Sequence, residues 1–183
     1  MSLCVFALFL ACIQERPYSK ADKTSPVSDR LAEMVTADQR LRSDDTLDYG
    51  IVAETDRLHR EVVFELLAEG AITEATDLHR AALILQHADP SSCRECYFLA
   101  YQLAKRAVEL GLDNARGMVA GCLDRYLVFS GKPQKYGTQY NQDSVGIWYL
   151  FPIDTLTSDS QRVVWNVPPL DSLKIEIDLL NGH

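Results

Sequence analysis

Apolar positions in this chain recur mostly at helical spacing. Ile51, Leu58, Val62 and Leu66 follow one another at intervals of seven, four and four residues, which places them on one helix face. Gly70 comes next and is a typical C-terminal cap. Patterns of this kind predict five main helices before residue 131. We expect them at about residues 28–42, 51–69, 73–88, 94–110 and 114–129, with Ser28 and Thr73 as N-caps of the first and third.

The fourth and fifth predicted helices have unusual faces. The fourth carries two apolar stripes, which indicates a helix packed between neighbours. The fifth carries Gly117 and Gly121 one turn apart. Because glycine costs up to about 1 kcal/mol inside a helix, this pair predicts close approach by another backbone or by a ligand.

After Gly131 the pattern changes. Residues 145–153 are aromatic and β-branched, which favours a short strand or an extended segment. Residues 159–164 fit one or two helical turns, and Pro168-Pro169 opens a last amphipathic helix. We therefore predict an all-α fold of about five to seven helices with a short extended C-terminal segment. A tetratricopeptide-like repeat ranks second, because no repeat of about 34 residues is found.

The N-terminus differs from the rest of the chain. Residues 3–13 are an unbroken apolar run, too short for a membrane-spanning helix but typical of a signal peptide. Residues 9–12 resemble a lipoprotein signal in which Cys12 becomes the lipidated first residue, although no Lys or Arg precedes Arg16. We therefore divide the chain into a signal peptide (1–12), a polar linker (13–27) and one helical domain (28–183). The alternative for the apolar run is a buried strand or helical turn.

Composition limits the compartment and the partners. The predicted signal indicates export, to the periplasm or outer membrane, and a cytoplasmic protein is the alternative. The net charge is -8, from 26 acidic and 18 basic residues, and no Lys/Arg run is present. These features exclude a typical nucleic-acid surface or polybasic membrane patch, so we expect contact with a membrane only through a lipid anchor.

The end of the third helix and the fifth helix carry candidate chemistry. His79, Gln86 and Asp89 lie along one line of the third helix, where they could converge; a capped helix end with a core histidine is the alternative. Arg125 lies on or beside an apolar stripe and therefore needs a partner. If Asp38, Asp56 or Asp89 supplies it, the pair is structural. If a ligand carboxylate or phosphate supplies it, Arg125 binds the ligand.

The loop at residues 131–139 is the best binding candidate. Gln134 and Gln139 offer amides, and Tyr136 and Thr138 offer hydroxyls, which together suit neutral polar ligands. The alternative is a structural clamp in which the two glutamines satisfy backbone groups of a long connection.

Metal, redox and cofactor chemistry have little support. Cys93 and Cys96 have redox-like spacing but lack the usual strand–helix context, and a second pair of zinc ligands is missing. A buried pair, or a local disulfide in an exported protein, explains them better. No nucleophile elbow, phosphate loop or dinucleotide fingerprint is present. We therefore expect no cofactor and no metal.

Several short polar elements stand out between residues 31 and 173. They are Asp38-Gln39 with Arg42, Asp56 with the helix up to Gly70, Gln86-His87-Ala88-Asp89, Asp124-Arg125 and Gly131-x-Pro133-Gln134-x-Tyr136-Gly137-Thr138-Gln139. In this combination the chain resembles an uncharacterised, mainly helical bacterial family, a domain of unknown function. The resemblance implies a helical domain that is often exported, and it implies no reaction. His59 departs from the pattern, because we expect an amide side chain there in the family.

Two functions from different classes remain. The first is a helical domain tethered at the cell envelope that binds a small polar ligand or a protein, with residues 124–139 as its recognition surface. The second is an enzyme of unassigned reaction. In it His87 is the general acid or base, Asp89 or Asp124 orients His87, and Arg125 with Gln139 holds the substrate. Gln86 joins the candidate binding residues in either case. An enzyme requires His87, a carboxylate and Arg125 around one open pocket.

Overall fold

The computed structural model describes residues 26–43 and 48–182, and the fold is mainly helical as predicted. The predicted signal peptide, Cys12 and nearly all of the predicted linker lie outside the described residues. The helices are α1 (Val27–Arg42), α2 (Tyr49–Ala68), α3 (Ala75–Leu85), α4 (Pro90–Cys93), α5 (Glu95–Glu109), α6 (Arg116–Phe129), α7 (Asp159–Val164) and α8 (Leu170–Leu180). The strands are β1 (Tyr140–Gln142) and β2 (Trp148–Leu150), and a 3₁₀ turn, Asp113–Ala115, precedes α6.

Helix starts differ from the prediction by a few residues: a side chain caps α2, whereas α1 and α3 begin without a side-chain cap. The Asp48 carboxylate accepts hydrogen bonds from the N–H groups of Gly50 and Ile51, so α2 begins two residues early. Ser28 is not an N-cap, because its hydroxyl donates to Asp77 of α3. Thr73 is not one either, since α3 begins only at Ala75.

Helix α5 lies at the centre of the helical array. It packs against α3 on one side and α6 on the other, as its two apolar stripes predicted. Ala81, Ala100 and Ala104 are fully buried in this region, and their small side chains allow the helix axes to approach closely. Helices α1 and α2 pack against α3. This packing places the C-terminal end of α3 beside both α1 and α6.

The two glycines of α6 do not mark a close approach, contrary to the prediction. A β-carbon added at Gly117 or Gly121 would have no atom within 4 Å outside its own helix backbone and its immediate neighbours. The constrained glycine is Gly137, where φ is +94° and an added β-carbon would lie 2.8 Å from Cδ1 of Leu173. The close contact is therefore in the loop after α6.

The C-terminal part covers α6 with a small hairpin and two helices. β1 and β2 pair antiparallel, which gives the predicted extended segment. Asn181, at the end of α8, accepts a hydrogen bond from the N–H of Trp148 and donates one to its carbonyl. Tyr136, Val167 and Leu173 form a second buried cluster with Ala120 of α6. This cluster attaches the loop and α8 to the helical array.

Two further features bear on the sequence predictions. Cys93 and Cys96 form a disulfide, which is one of the two structural alternatives for this pair. Among the described residues, no helix has the length and apolar character required to cross a bilayer.

Candidate functional site

Asp124 of α6 organises the loop at residues 131–139. Its carboxylate is completely buried and accepts hydrogen bonds from the backbone N–H groups of Lys135, Tyr136, Gly137 and Thr138 at 2.7–3.0 Å. The Thr138 hydroxyl donates a fifth, at 2.9 Å. Five donors surround this carboxylate, so it cannot orient His87. The loop is thus folded around Asp124.

Gln134, a residue of the same loop, holds its C-terminal end. Its fully buried amide donates to the carbonyls of Gln139 and Phe151, at 2.8 and 3.0 Å, and accepts from the N–H of Gln139 at 2.8 Å. Tyr136 is buried, and its carbonyl accepts a hydrogen bond from Arg162. The polar groups of Gln134 and Thr138 are used within the protein, which matches the structural-clamp alternative.

Arg162 is a structural residue that the sequence analysis missed. Its side chain is almost fully buried and donates to the carbonyls of Tyr136 and Thr157, at 3.0 and 2.7 Å, and to the Asp159 carboxylate at 3.0 Å. The only sequence signal is the spacing of three residues between Asp159 and Arg162. This spacing is common on exposed helices, so it does not indicate burial.

Arg125 and Gln139 meet directly. Nε of Arg125 donates to the side-chain carbonyl of Gln139 at 3.1 Å, and Nη1 donates to the backbone carbonyl of Gln86 at 2.7 Å. The Gln139 amide nitrogen donates to the carbonyl of Gly121, at 3.3 Å, and lies 3.0 Å from the Thr138 hydroxyl. Among the described residues, Arg125 forms no ion pair with a carboxylate. None of the three predicted aspartate partners contacts it.

Those three aspartates are engaged elsewhere. Asp38 lies 2.9 Å from Nδ1 of His87, and Asp56 accepts two hydrogen bonds from Arg42 at 2.8 and 3.0 Å. Asp89 caps α4 by accepting from the backbone N–H and the hydroxyl of Ser91, at 3.0 and 2.5 Å. The carboxylate that contacts His87 is therefore Asp38, and not Asp89 or Asp124 as the enzyme hypothesis expected.

Asp38 is a buried carboxylate with several partners. Besides His87, it accepts a hydrogen bond from Gln39 at 2.8 Å and lies 3.4 Å from Nη1 of Arg42. Burial alone raises its pKa. The hydrogen bond and charge of His87, together with the Arg42 charge, outweigh this effect, so the pKa lies below its usual value. Asp38 therefore stays ionised beside His87.

Asp56 and His59 belong to the same cluster. Burial raises the pKa of Asp56 above its usual value, even though Arg42 opposes this effect. Burial lowers the pKa of His59; the Asp38 charge opposes this decrease and the Arg42 charge adds to it. The lowered pKa favours a neutral imidazole at His59.

His87, Arg125 and Gln139 line one open groove, which we call the polar groove. Its volume is about 440 Å³. Arg42, Gln86 and Asn141 also line it with polar groups, and the walls include Tyr97, Phe129, Tyr140 and Phe151. The structure thus brings together four residues that the sequence analysis selected, Gln86, His87, Arg125 and Gln139. Asp124 and Gln134 are buried residues that hold the loop.

A second groove is also lined by His87. Its volume is about 530 Å³, and Asp56, Arg57, Arg60, Asp89 and Ser92 are among the residues that line it. His87 belongs to the walls of both grooves. In the tautomer in which Nδ1 donates to Asp38, Nε2 of His87 is an acceptor and can serve as a general base.

Neither metal ligands nor similarity to known proteins assigns a function to the polar groove. Within residues 26–43 and 48–182, no group of three or more His, Cys, Asp or Glu side chains is placed to hold a metal ion. Comparisons with protein-family models, with curated proteins and with solved structures find no match to this chain. The resemblance to an uncharacterised helical family therefore stays a prediction, and a function has to be argued from the polar groove.

Proposed function

We propose that this protein is a helical binding domain whose polar groove holds a small molecule. The observation that carries the proposal is the convergence of His87, Arg125 and Gln139 on one solvent-open groove. Small-molecule sites are concave, with apolar walls and a few fixed polar groups. The polar groove combines these features, since its aromatic walls surround a guanidinium, an imidazole and an amide.

The contacts that hold these side chains in place favour a binding role over a purely structural one. Arg125 is held by Gln139 and by the Gln86 carbonyl, and His87 is held by Asp38. Side chains oriented before a ligand arrives lose less entropy on binding. Gln139 is oriented in turn by the Asp124-centred loop. The buried polar residues thus serve as a rigid base for the groove.

The proposed location is the cell envelope, through a lipid on Cys12. The apolar run at residues 3–13 and the lipobox-like residues 9–12 support it. The disulfide between Cys93 and Cys96 agrees with it, because disulfides persist mainly in oxidising compartments.

The binding proposal can be tested by filling the groove. Asn141 is an exposed groove residue, so Asn141→Trp should occupy part of the groove without disturbing the core. Small polar metabolites would be screened against the parent by NMR, following the side-chain signals of Arg125 and Gln139. We expect ligands that shift these signals in the parent to lose their effect in Asn141→Trp.

The matched control places the same large side chain elsewhere. Asn114 is exposed in the 3₁₀ turn before α6 and does not line the polar groove, so Asn114→Trp should bind like the parent. Ligand responses that survive unchanged in Asn141→Trp, or that never involve groove residues, would contradict the proposal.

An enzyme is the second candidate, and the contact between Asp38 and His87 favours it. A buried carboxylate that holds an imidazole beside a guanidinium suits general acid–base catalysis. Any ligand found in the groove would be incubated with the parent and with His87→Gln, followed by mass spectrometry. An enzyme would convert the ligand, and His87→Gln would lose conversion while retaining binding. Return of the unchanged ligand from the parent would favour the binding domain.

A further inference from the structure

The polar groove has an unusual charge for this protein. The chain carries a net charge of -8, yet none of the described residues that line the polar groove is Asp or Glu. The second groove beside His87 differs, because Glu54, Asp56 and Asp89 are among its lining residues. Of these two grooves, only the second is lined by carboxylates.

The two arginines that line the polar groove are not equally compensated. Arg42 contacts both Asp38 and Asp56. Arg125 is held only by neutral oxygens of Gln139 and Gln86, and within the described residues no carboxylate neutralises it. A partly buried guanidinium without a counter-charge is stabilised by an anion that enters the site.

The Arg125 guanidinium also keeps donors available. Its five N–H groups include the one on Nε and one on Nη1 that are used by the two neutral acceptors. The acceptors fix the plane of the guanidinium. The remaining N–H groups, which include both on Nη2, are enough for a carboxylate or a phosphate, the anions that arginine binds best.

The aromatic walls of the polar groove indicate which chemical group would accompany an anion bound by Arg125. Phe129 lines the groove, is 47% exposed and stacks on Tyr97 with ring centroids 5.4 Å apart. Phe151, also in the wall, contacts Tyr149 edge to face at 5.6 Å. Aromatic side chains held by other rings provide a rigid surface for a flat apolar group.

We infer that the polar groove binds small amphipathic anions, in which a carboxylate or phosphate is joined to a planar, apolar body. Arg125 binds the anionic group, and Phe129 and Phe151 contact the body. This inference rests on the proposed function and narrows its ligand class. It also replaces the neutral polar ligand that the loop residues suggested, because the Gln134 amide and the Thr138 hydroxyl are used inside the protein.

Four simple probes separate the two parts of the ligand and the two kinds of anion. Phenyl phosphate and benzoate carry both parts, inorganic phosphate carries only the anion, and benzyl alcohol carries the ring without charge. Each would be titrated into the ¹⁵N-labelled full-length protein while the side-chain signals of Arg125 and Gln139 are followed. We expect saturable shifts with at least one aromatic anion. Inorganic phosphate and benzyl alcohol should bind about tenfold more weakly, or weaker still. The stronger of the two aromatic anions identifies the headgroup.

Two variants and a control locate the binding. Arg125→Gln removes the guanidinium, and Asn141→Asp adds a carboxylate to the groove without replacing Arg125. Both should weaken binding of the aromatic anion about tenfold or more. Arg106→Gln removes the same charge from the exposed face of α5, where Arg106 pairs with Glu109, and should leave binding unchanged. If Arg125→Gln fails to fold, Asn141→Asp still decides the outcome.

The outcomes distinguish this inference from the proposed function. If benzyl alcohol binds in the groove as tightly as the anions, the groove is a binding site but the anion inference is wrong. Equal weakening by Arg125→Gln and Arg106→Gln would also contradict the inference, since it would indicate only nonspecific attraction. If the probes shift no groove signal while other ligands in the metabolite screen do, the inference again fails and the proposed function stands.

Discussion

The Asp124 carboxylate is fully buried and accepts hydrogen bonds from four backbone N–H groups and one hydroxyl. A buried polar group is costly unless it is hydrogen-bonded, and these contacts satisfy both the carboxylate and the loop donors. The carboxylate thus substitutes for regular secondary structure, which the loop lacks, by satisfying its backbone donors. This arrangement places Gln139 beside Arg125.

Replacing Asp124 should therefore unfold the loop. Asp124→Ala leaves four backbone donors without their acceptor, and each unpaired buried group costs about 1–3 kcal/mol. We expect the free energy of unfolding in urea to fall by at least about 3 kcal/mol. Asp178→Ala removes an exposed carboxylate from α8 and should change it by less than about 0.5 kcal/mol. Equal stability of the two variants would show that the loop does not depend on Asp124.

His59, which is buried, and His79, which is half-buried, should make stability depend on pH. The pKa of His59 is lowered by burial from 6.5, and that of His79 is lowered by burial and by Arg80. The unfolded chain then binds more protons than the folded chain below about pH 6.5. Stability should accordingly decrease as the pH falls through this value. The raised pKa of Asp56 acts in the opposite direction, so a variant is needed to isolate the imidazole.

His59→Asn provides that comparison. The variant introduces the amide that the family resemblance predicts at this position, and it removes one of the two imidazoles whose pKa is lowered. Urea unfolding between pH 7.5 and 5.5 should show a shallower loss of stability in His59→Asn than in the parent. Parallel curves would mean that protonation of His59 does not oppose folding.

At the scale of elements, α6 connects the core with the polar groove. Neighbouring helical residues point about 100° apart, so Asp124 faces the buried loop while Arg125 lines the groove. The Gly121 carbonyl of the same helix accepts a hydrogen bond from Gln139. One helix thus supports the loop and presents the cation. Its glycines are not needed for close packing.

A pair of alanine substitutions tests this view of the glycines. Gly121→Ala adds a β-carbon to open space inside a helix and should stabilise the protein by about 0.5–1 kcal/mol. Gly137→Ala should destabilise it by at least about 1 kcal/mol, because the position has positive φ and the β-carbon meets Leu173. Thermal unfolding of both variants measures the difference. A destabilised Gly121→Ala would restore the original expectation of a tightly packed α6 face.

For the whole molecule, the proposed lipidation of Cys12 predicts a location at the cell envelope. If the lipoprotein signal is used, the mature chain begins at Cys12 and has 172 residues, 183 minus 11, with lipid attached. Intact-mass analysis of full-length protein expressed in a bacterium should find this species in the membrane fraction. Cys12→Ser should abolish lipidation, whereas Cys4→Ser, in the same apolar run, should not. An unmodified full-length chain in the cytosol would contradict export.

Much of the fold could be predicted because helical periodicity is local. The spacing of apolar residues located α2, α5 and α6, and Pro168-Pro169 located the start of α8. Helix ends were less accurate. The Asp48 cap sets the start of α2, whereas α1 and α3 begin without a side-chain cap, and Ser28 bonds to another helix instead of capping its own.

The candidate site was predictable only in part. Sequence patterns selected His87, Arg125 and Gln139, which share the polar groove. They did not reveal that Asp38 holds His87, because that contact joins residues 49 positions apart and depends on how α1 packs against α3. Of the contacts of Arg162, the one with Tyr136 is tertiary, whereas those with Thr157 and Asp159 are local.

The helical class, the unpatterned loop after α6 and the polar residues available for chemistry can be read from local spacing and residue type alone. The role of each polar residue depends on tertiary contacts. Asp124 and Arg125 are neighbours in sequence, yet one is buried among backbone donors and the other lines an open groove. The physical reason is that burial and the nearest opposite charge, which set what a polar group does, depend on residues distant in the chain.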